Sequence, residues 1–196
     1  TLKKAGFEVM KETNVSRKKF RKALDEFKNK LNSYGKSTDA LFYYSGHGMQ
    51  YEGNNYLIPL KSDIETEYDL DDESISSNRI LSAMASVSSG AKIILLDACR
   101  DNNFRSFVRS SKKGLALMTA ETGTIIGYAT GPGEVAFDGD GNYSPFAQAL
   151  AQAIVNPGHT IERVLKETRK MVVEETNGRQ IPWTSSSLTE DFYFIS

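Results

Sequence analysis

Lys92-Ile-Ile-Leu-Leu-Asp-Ala-Cys-Arg-Asp101 is the stretch on which the reading of this chain turns. Lys92–Leu96 is a nearly continuous apolar run, the pattern of a strand covered on both faces rather than one. It ends abruptly in an acid and in the only cysteine of the sequence, Cys99. A strand buried on both sides needs helices on both sides of its sheet, so strands and helical patterns should alternate around it.

Working outward, they do. Phe7–Met10 reads as a short strand, and Ser16–Asn32 as a helix whose Phe20, Leu24, Phe27 and Leu31 share one stripe. Ala40–Tyr44 is a second strand. Asn78–Val87 is a helix burying Ile80, Leu81, Met84 and Val87, closed by Gly90. Thr124–Ala129 is another strand. Ser144–Val155 and Thr160–Glu175 are helices, the first entered through Ser-Pro and the two separated by Pro157-Gly158. Asp191–Ile195 is expected as the last strand. The order argues a mainly parallel α/β sheet with helices on both faces, in one domain spanning residues 1–196. Chemistry in such sheets collects at the carboxyl ends of the strands.

Composition removes several classes. With 24 Lys+Arg against 25 Asp+Glu, no global basic field would hold nucleic acid or an anionic membrane. The longest apolar runs are far short of the roughly 20 residues of a membrane span. Thr1–Val9 lacks the basic-then-apolar pattern of a signal peptide. A lone cysteine cannot form an intrachain disulfide, which fits a reducing, cytoplasmic setting and directs attention to the thiol itself.

At the strand ends, Ala40-Leu-Phe-Tyr-Tyr-Ser-Gly-His-Gly48 runs into what reads as a Gly-His-Gly turn. His47 and Cys99 thus fall at the same edge of one sheet. An imidazole beside a thiol can take its proton, and the thiolate is a nucleophile for acyl transfer. The competing reading is a buried structural cysteine and a loop histidine that never meet. Asp97 lies two residues before Cys99, so strand alternation puts it on the same face, roughly 6–7 Å along the chain. A carboxylate there favours a cationic substrate group; alternatively it only caps backbone donors.

Taken together, Tyr44-Ser-Gly-His-Gly48 and Asp97-Ala-Cys-Arg-Asp-Asn102, whose cysteine lies 52 residues beyond the histidine, resemble the caspase/metacaspase superfamily of cysteine peptidases. Gly127-Tyr-Ala-Thr130, Asp138-Gly-Asp-Gly-Asn-Tyr-Ser-Pro-Phe146 and Gly178-Arg-Gln-Ile-Pro-Trp-Thr-Ser-Ser-Ser187 extend the resemblance to the carboxyl terminus. Asp97 and Asp101 stand where animal caspases carry glutamine and glycine, which points to the bacterial metacaspase and orthocaspase branch. Family members begin with a strand and helix that precede this segment. Thr1–Gly6 looks like the tail of that helix, so the sheet is expected to lack its first strand–helix unit unless another chain or segment supplies it.

The resemblance implies an endopeptidase acting through an acyl-enzyme. Cys99 would be the nucleophile and His47 the base and acid, with the backbone N–H groups of Gly48 and Cys99 as oxyanion donors. In similar metacaspases and paracaspases an acid at the Asp97 position helps bind Arg or Lys, so cleavage after Arg or Lys is expected, on polypeptides carrying basic residues. Ser45 is expected to share that pocket, and Glu134 is a further candidate beside the reading of a solvated side chain. Neither a metal nor another cofactor is needed for the chemistry. The rival from another class is a caspase-homologous scaffold that binds partners without cutting. A nucleotide switch is disfavoured because Gly131-Pro-Gly133 leads into no helix.

Three further features complete the expectations. Phe104–Gly114 carries Arg105, Arg109, Lys112 and Lys113 without an acid, either a solvated basic loop or a self-cleavage linker. Asp63–Glu73 holds seven acids in eleven residues, expected as a flexible solvated loop; calcium activation, known among similar metacaspases, is the other reading. His159 reads as a helix-start residue, and Trp183 as an anchor in the core or near the substrate groove.

Overall fold

The computed structural model describes residues 1–99, 114–134, 136–137 and 143–196, and the backbone alone at Cys99. The self-cleavage candidates Arg105, Arg109, Lys112 and Lys113 lie outside the described residues.

Helix α1 (Arg17–Tyr34) buries Phe20, Leu24 and Leu31 and ends at Gly35, whose φ of +93° suits a residue without a Cβ. Strand β1 (Ala40–Tyr51) turns back through Glu52-Gly53 into β2 (Asn54–Ile58). Both turn residues have positive φ, 47° and 77°, as a tight hairpin between right-twisted strands requires. A one-turn helix α2 (Leu70–Glu73), the two-residue β3 (Ile75–Ser76) and helix α3 (Ser77–Ala85) follow. Next come β4 (Lys92–Cys99), β5 (Thr124–Tyr128), α4 (Pro145–Ala153), α5 (Ile161–Glu175) and β6 (Trp183–Ser186).

The six strands form one sheet in the order β3-β2-β1-β4-β5-β6. Its centre, β1-β4-β5, is parallel, and both margins are antiparallel. The alternation of β4 explains why its sequence is apolar throughout. Ile94, Leu96 and Ala98 join Phe20, Leu24, Ile80 and Met84 under α1 and α3. Ile93 and Leu95 join Phe146, Leu150, Val164 and Leu165 under α4 and α5. Successive side chains of a strand point to opposite sides, and here both sides are roofed.

Four expectations are corrected. Gly46-His47-Gly48 is not a turn but part of β1, because β2 folds back and supplies its ladder from His47↔Ile58 to Tyr51↔Asn54. Phe7–Met10 is not a strand: no described strand pairs with it, and Phe7 instead packs against the rings of Phe192 and Phe194 at 6.3 and 5.9 Å. Asp191–Ile195 contributes a single bridge, Thr160↔Tyr193, while Phe192 and Phe194 turn into the core. The last strand is Trp183–Ser186, which finds its hydrogen bonds along β5. Finally, Asp63–Glu73 is ordered rather than irregular. Thr66 and Asp69 form a capping box around the turn Glu67–Asp69, and the buried Leu70 pins α2 to the core.

Thr1–Gly6 forms a turn with Ala5 N donating to Thr1 O at 3.2 Å, ending at Gly6 with φ +86°. No described helix is long and apolar enough to cross a membrane.

Candidate functional site

The carboxyl ends of β1 and β4 carry the residues that the sequence singles out, and the parallel ladder aligns them. Its pairs run Tyr43↔Leu95, Ser45↔Asp97 and His47↔Cys99. Paired positions on neighbouring strands lie about 4.8 Å apart, so the backbone positions of the histidine and the cysteine are adjacent. His47 itself is exposed.

The flanking glycines have steric reasons. A Cβ at Gly48 would stand 3.0 Å from Ala98 Cβ and 3.1 Å from Leu115 Cδ2, so β1 approaches β4 and Leu115 more closely than a side chain allows. A Cβ at Gly46 would stand 2.8 Å from Tyr44 Oη. That hydroxyl lies 2.8 Å from the His47 carbonyl oxygen and 3.0 Å from that of Ile58, bracing the backbone under the imidazole from both strands. Burial pushes the Tyr44 phenol well above its ordinary range, so it stays a neutral donor.

Asp97 is 4% exposed on the α4/α5 side of the sheet. Its Oδ2 accepts from Tyr43 Oη at 2.9 Å and from Ser144 Oγ at 2.5 Å. Ser144 is also the N-cap of α4: its Oγ accepts from Ala147 N at 3.0 Å. Tyr43 is pushed far up, first by burial and then by the Asp97 charge and hydrogen bond, with Ser45 tempering the shift. Neither Tyr43 nor Ser144 is singled out by the sequence pattern. Period-two alternation back from Ser45 would have found Tyr43. Ser144 comes from a helix 47 residues away along the chain and left no signal but its capping role.

Glu134 is exposed at the end of a turn in which its N–H donates to Gly131 O at 3.1 Å. Its carboxylate lies 3.5 Å from Thr130 Oγ1, and no described hydrogen bond joins it to Asp97. Trp183 is 46% exposed, opposite Tyr128 at the carboxyl end of β5. It is therefore not a core anchor, but stands at the sheet edge that carries His47. His159 Nδ1 lies 3.2 Å from Glu167 Oε2 at the start of α5, without hydrogen-bond alignment. It pairs within that helix terminus, not with the β1–β4 ends.

From Gly114 onward the chain is held by hydrogen bonds to β1, β2 and β5. Asn55, fully buried, exchanges two 2.7 Å hydrogen bonds with the backbone of Ala116, as a neighbouring strand would. Gln50 Nε2 donates to Gly114 O at 3.3 Å, and Met118 N donates to Tyr128 Oη at 2.8 Å. Gly114 has φ +68°, and a Cβ there would fall 2.1 Å from Glu134 O. Gly114 is therefore packed tightly against the backbone of Glu134. Among the described residues, no three His, Cys, Asp or Glu side chains cluster as metal ligands.

The mixed sheet thus brings the backbone positions of His47 and Cys99 into register, two residues beyond Ser45 and the buried Asp97. Over residues 1–193 the chain matches the family described as the caspase domain, Peptidase_C14, and it belongs to that family. Curated relatives include the human mucosa-associated lymphoid tissue lymphoma translocation protein 1, from Homo sapiens. It is 28% identical over 137 residues, covering 70% of this chain and 16% of the human protein. The Mus musculus homologue is likewise 28% identical over 137 residues, covering 70% of this chain and 15% of that protein. The chain thus spans about a sixth of the length of the curated relatives it matches.

Proposed function

We propose that this chain is a cysteine endopeptidase that cleaves after Arg or Lys. The observation that carries the reading is the parallel register His47↔Cys99 with Ser45↔Asp97 directly before it. In the proposed cycle His47 takes the proton of the Cys99 thiol, and the thiolate sulfur attacks the scissile carbonyl carbon. The C–N bond breaks as His47 returns the proton to the leaving amine, leaving a thioester. A water then gives a proton to His47 and its oxygen to the acyl carbon, and the thiol is restored with release of the acid. The N–H groups of Gly48 and Cys99 are the proposed donors to the oxyanion. The close approach of β1 to Ala98 and Leu115 at Gly48 favours this role, since it leaves no room for a side chain beside that amide. Asp97, with Ser45 alongside and Glu134 at the rim, is the proposed acidic pocket for the substrate cation.

The test is a peptide panel varied only at the residue before the cut, together with labelling by an arginine-directed electrophilic peptide. Arginyl and lysyl peptides should turn over fastest. Cys99→Ala should abolish labelling, and His47→Ala should slow it by about 10³-fold or more. Faster turnover of aspartyl than arginyl peptides would overturn the specificity; labelling that survives Cys99→Ala would overturn the nucleophile.

We also propose that β1 accepts an added strand, from a separate polypeptide or another segment. Ala40–Gly46 pairs with β4 on one side, and the pairing of β1 with β2 begins only at His47, so among the described residues no strand lies along its other edge. Such an edge offers a row of backbone groups to an extended partner. Amide exchange protection at Leu41–Gly46 that rises on adding the partner would support this; unchanged protection in a saturated complex would refute it.

A further inference from the structure

Two hydroxyls are trained on the one carboxylate that the proposed pocket depends on. Asp97 is nearly withdrawn from solvent at 4% exposure, where an ionised carboxylate is unfavourable unless donors stabilise it. Tyr43, from the neighbouring strand, and Ser144, from the start of α4, both donate to Oδ2, at 2.9 and 2.5 Å. The direction of the serine proton is not arbitrary. Ser144 Oγ already accepts from Ala147 N at 3.0 Å, so its lone pair faces the helix and its O–H is left to face Asp97. The first turn of α4 bears the positive end of the helix dipole, and the serine passes that polarisation to the carboxylate.

We propose that Tyr43 and Ser144 are positioning residues, which fix the orientation and ionisation of Asp97 and so set the preference for a basic substrate residue. The inference rests on Asp97 being the acid of the substrate pocket. Ser144 thereby has two roles, capping α4 and holding the pocket, so the helix and the specificity determinant stand or fall together. Tyr43 has only the second, which makes it the cleaner probe.

The experiment compares kcat and KM for two peptides, differing as arginine or norleucine before the cut, in the parent and in Tyr43→Phe, Ser144→Ala, Ser144→Thr and Asp97→Asn. Tyr43→Phe should lower the arginine-over-norleucine ratio of kcat/KM about tenfold, through KM for the arginyl peptide, with the norleucyl peptide within about twofold of the parent. Losing a donor to the ionised carboxylate raises its pKa. The acid limb of the arginyl profile should therefore move to higher pH, a shift that general loosening would not produce. Ser144→Ala should do the same and also lower the unfolding midpoint, and Ser144→Thr should restore both. Equal losses on both peptides with an unmoved acid limb would overturn the positioning role. Arginine preference that survives in Asp97→Asn would instead remove the pocket reading on which it rests.

Discussion

The two faces of β4 use the same strand for opposite ends. Under α1 and α3, Ile94, Leu96 and Ala98 lie in a cluster whose polar atoms are phenols serving the backbone: Tyr44 holds the His47 and Ile58 carbonyls, and Tyr128 holds the Met118 amide. Under α4 and α5, Ile93 and Leu95 are equally apolar, but the next position is Asp97. A carboxyl group enters there, and two hydroxyls come to meet it. The lesson is that this sheet isolates polarity by position along the strand, not by face: the amino-terminal part of β4 is core on both sides, and only its last residues turn to chemistry.

The comparison breaks most sharply when the charge is moved one residue. Leu96→Asp puts a carboxylate, without donors, among Phe20, Leu24 and Ile80; it should cost about 4 kcal/mol or more of stability, read by denaturant unfolding. Asp97→Asn keeps an acceptor for Tyr43 and Ser144 and should cost no more than about 1–2 kcal/mol. A larger loss from Asp97→Asn than from Leu96→Asp would mean that the faces have been misjudged.

Gly48→Ala tests the close approach on the apolar face. Its Cβ would meet Ala98 and Leu115 at 3.0 and 3.1 Å, so β1 must shift. The expected cost is about 1–3 kcal/mol, with a matching fall in thermal midpoint and slower labelling of Cys99 by the electrophilic peptide.

Alkaline pH sharpens the same contrast. Burial pushes the Tyr128 phenol from its ordinary 10.0 up to about 12, so the folded state holds its proton more tightly than the unfolded chain. That contribution, on the order of 2 kcal/mol, is whole below pH 10 and disappears as the pH rises through about 12. Tyr44 shifts in the same direction. Stability should therefore fall across that window, and Tyr128→Phe should flatten the decline while lowering stability near neutrality through the lost Met118 hydrogen bond. A slope unchanged by Tyr128→Phe would show that this phenol is not responsible.

The smallest expected effect is at the α4 cap. Ser144→Ala should cost about 1 kcal/mol by thermal unfolding, and Ser144→Thr should recover most of it.

Much of the architecture could be read from the chain alone. Buried apolar positions place α1 and α3, a Ser-Pro entry and the Pro157-Gly158 break place α4 and α5, and a run apolar at every position signals a strand roofed on both sides, because burial and capping leave local marks on the sequence. The same logic marks Asp97 and Cys99, where an apolar run stops at groups that need a partner or a task. Tertiary structure alone decided what those marks could not contain. Gly46-His47-Gly48 became strand because β2 returned to pair with it; Phe7–Met10 did not, because no described strand came to it. Ladder hydrogen bonds depend on which segments meet, and that is not written locally in either segment. Ser144 met Asp97 for the same reason: a helix cap far along the chain and an acid at a strand end are independent in sequence, and only packing α4 on the sheet joins them.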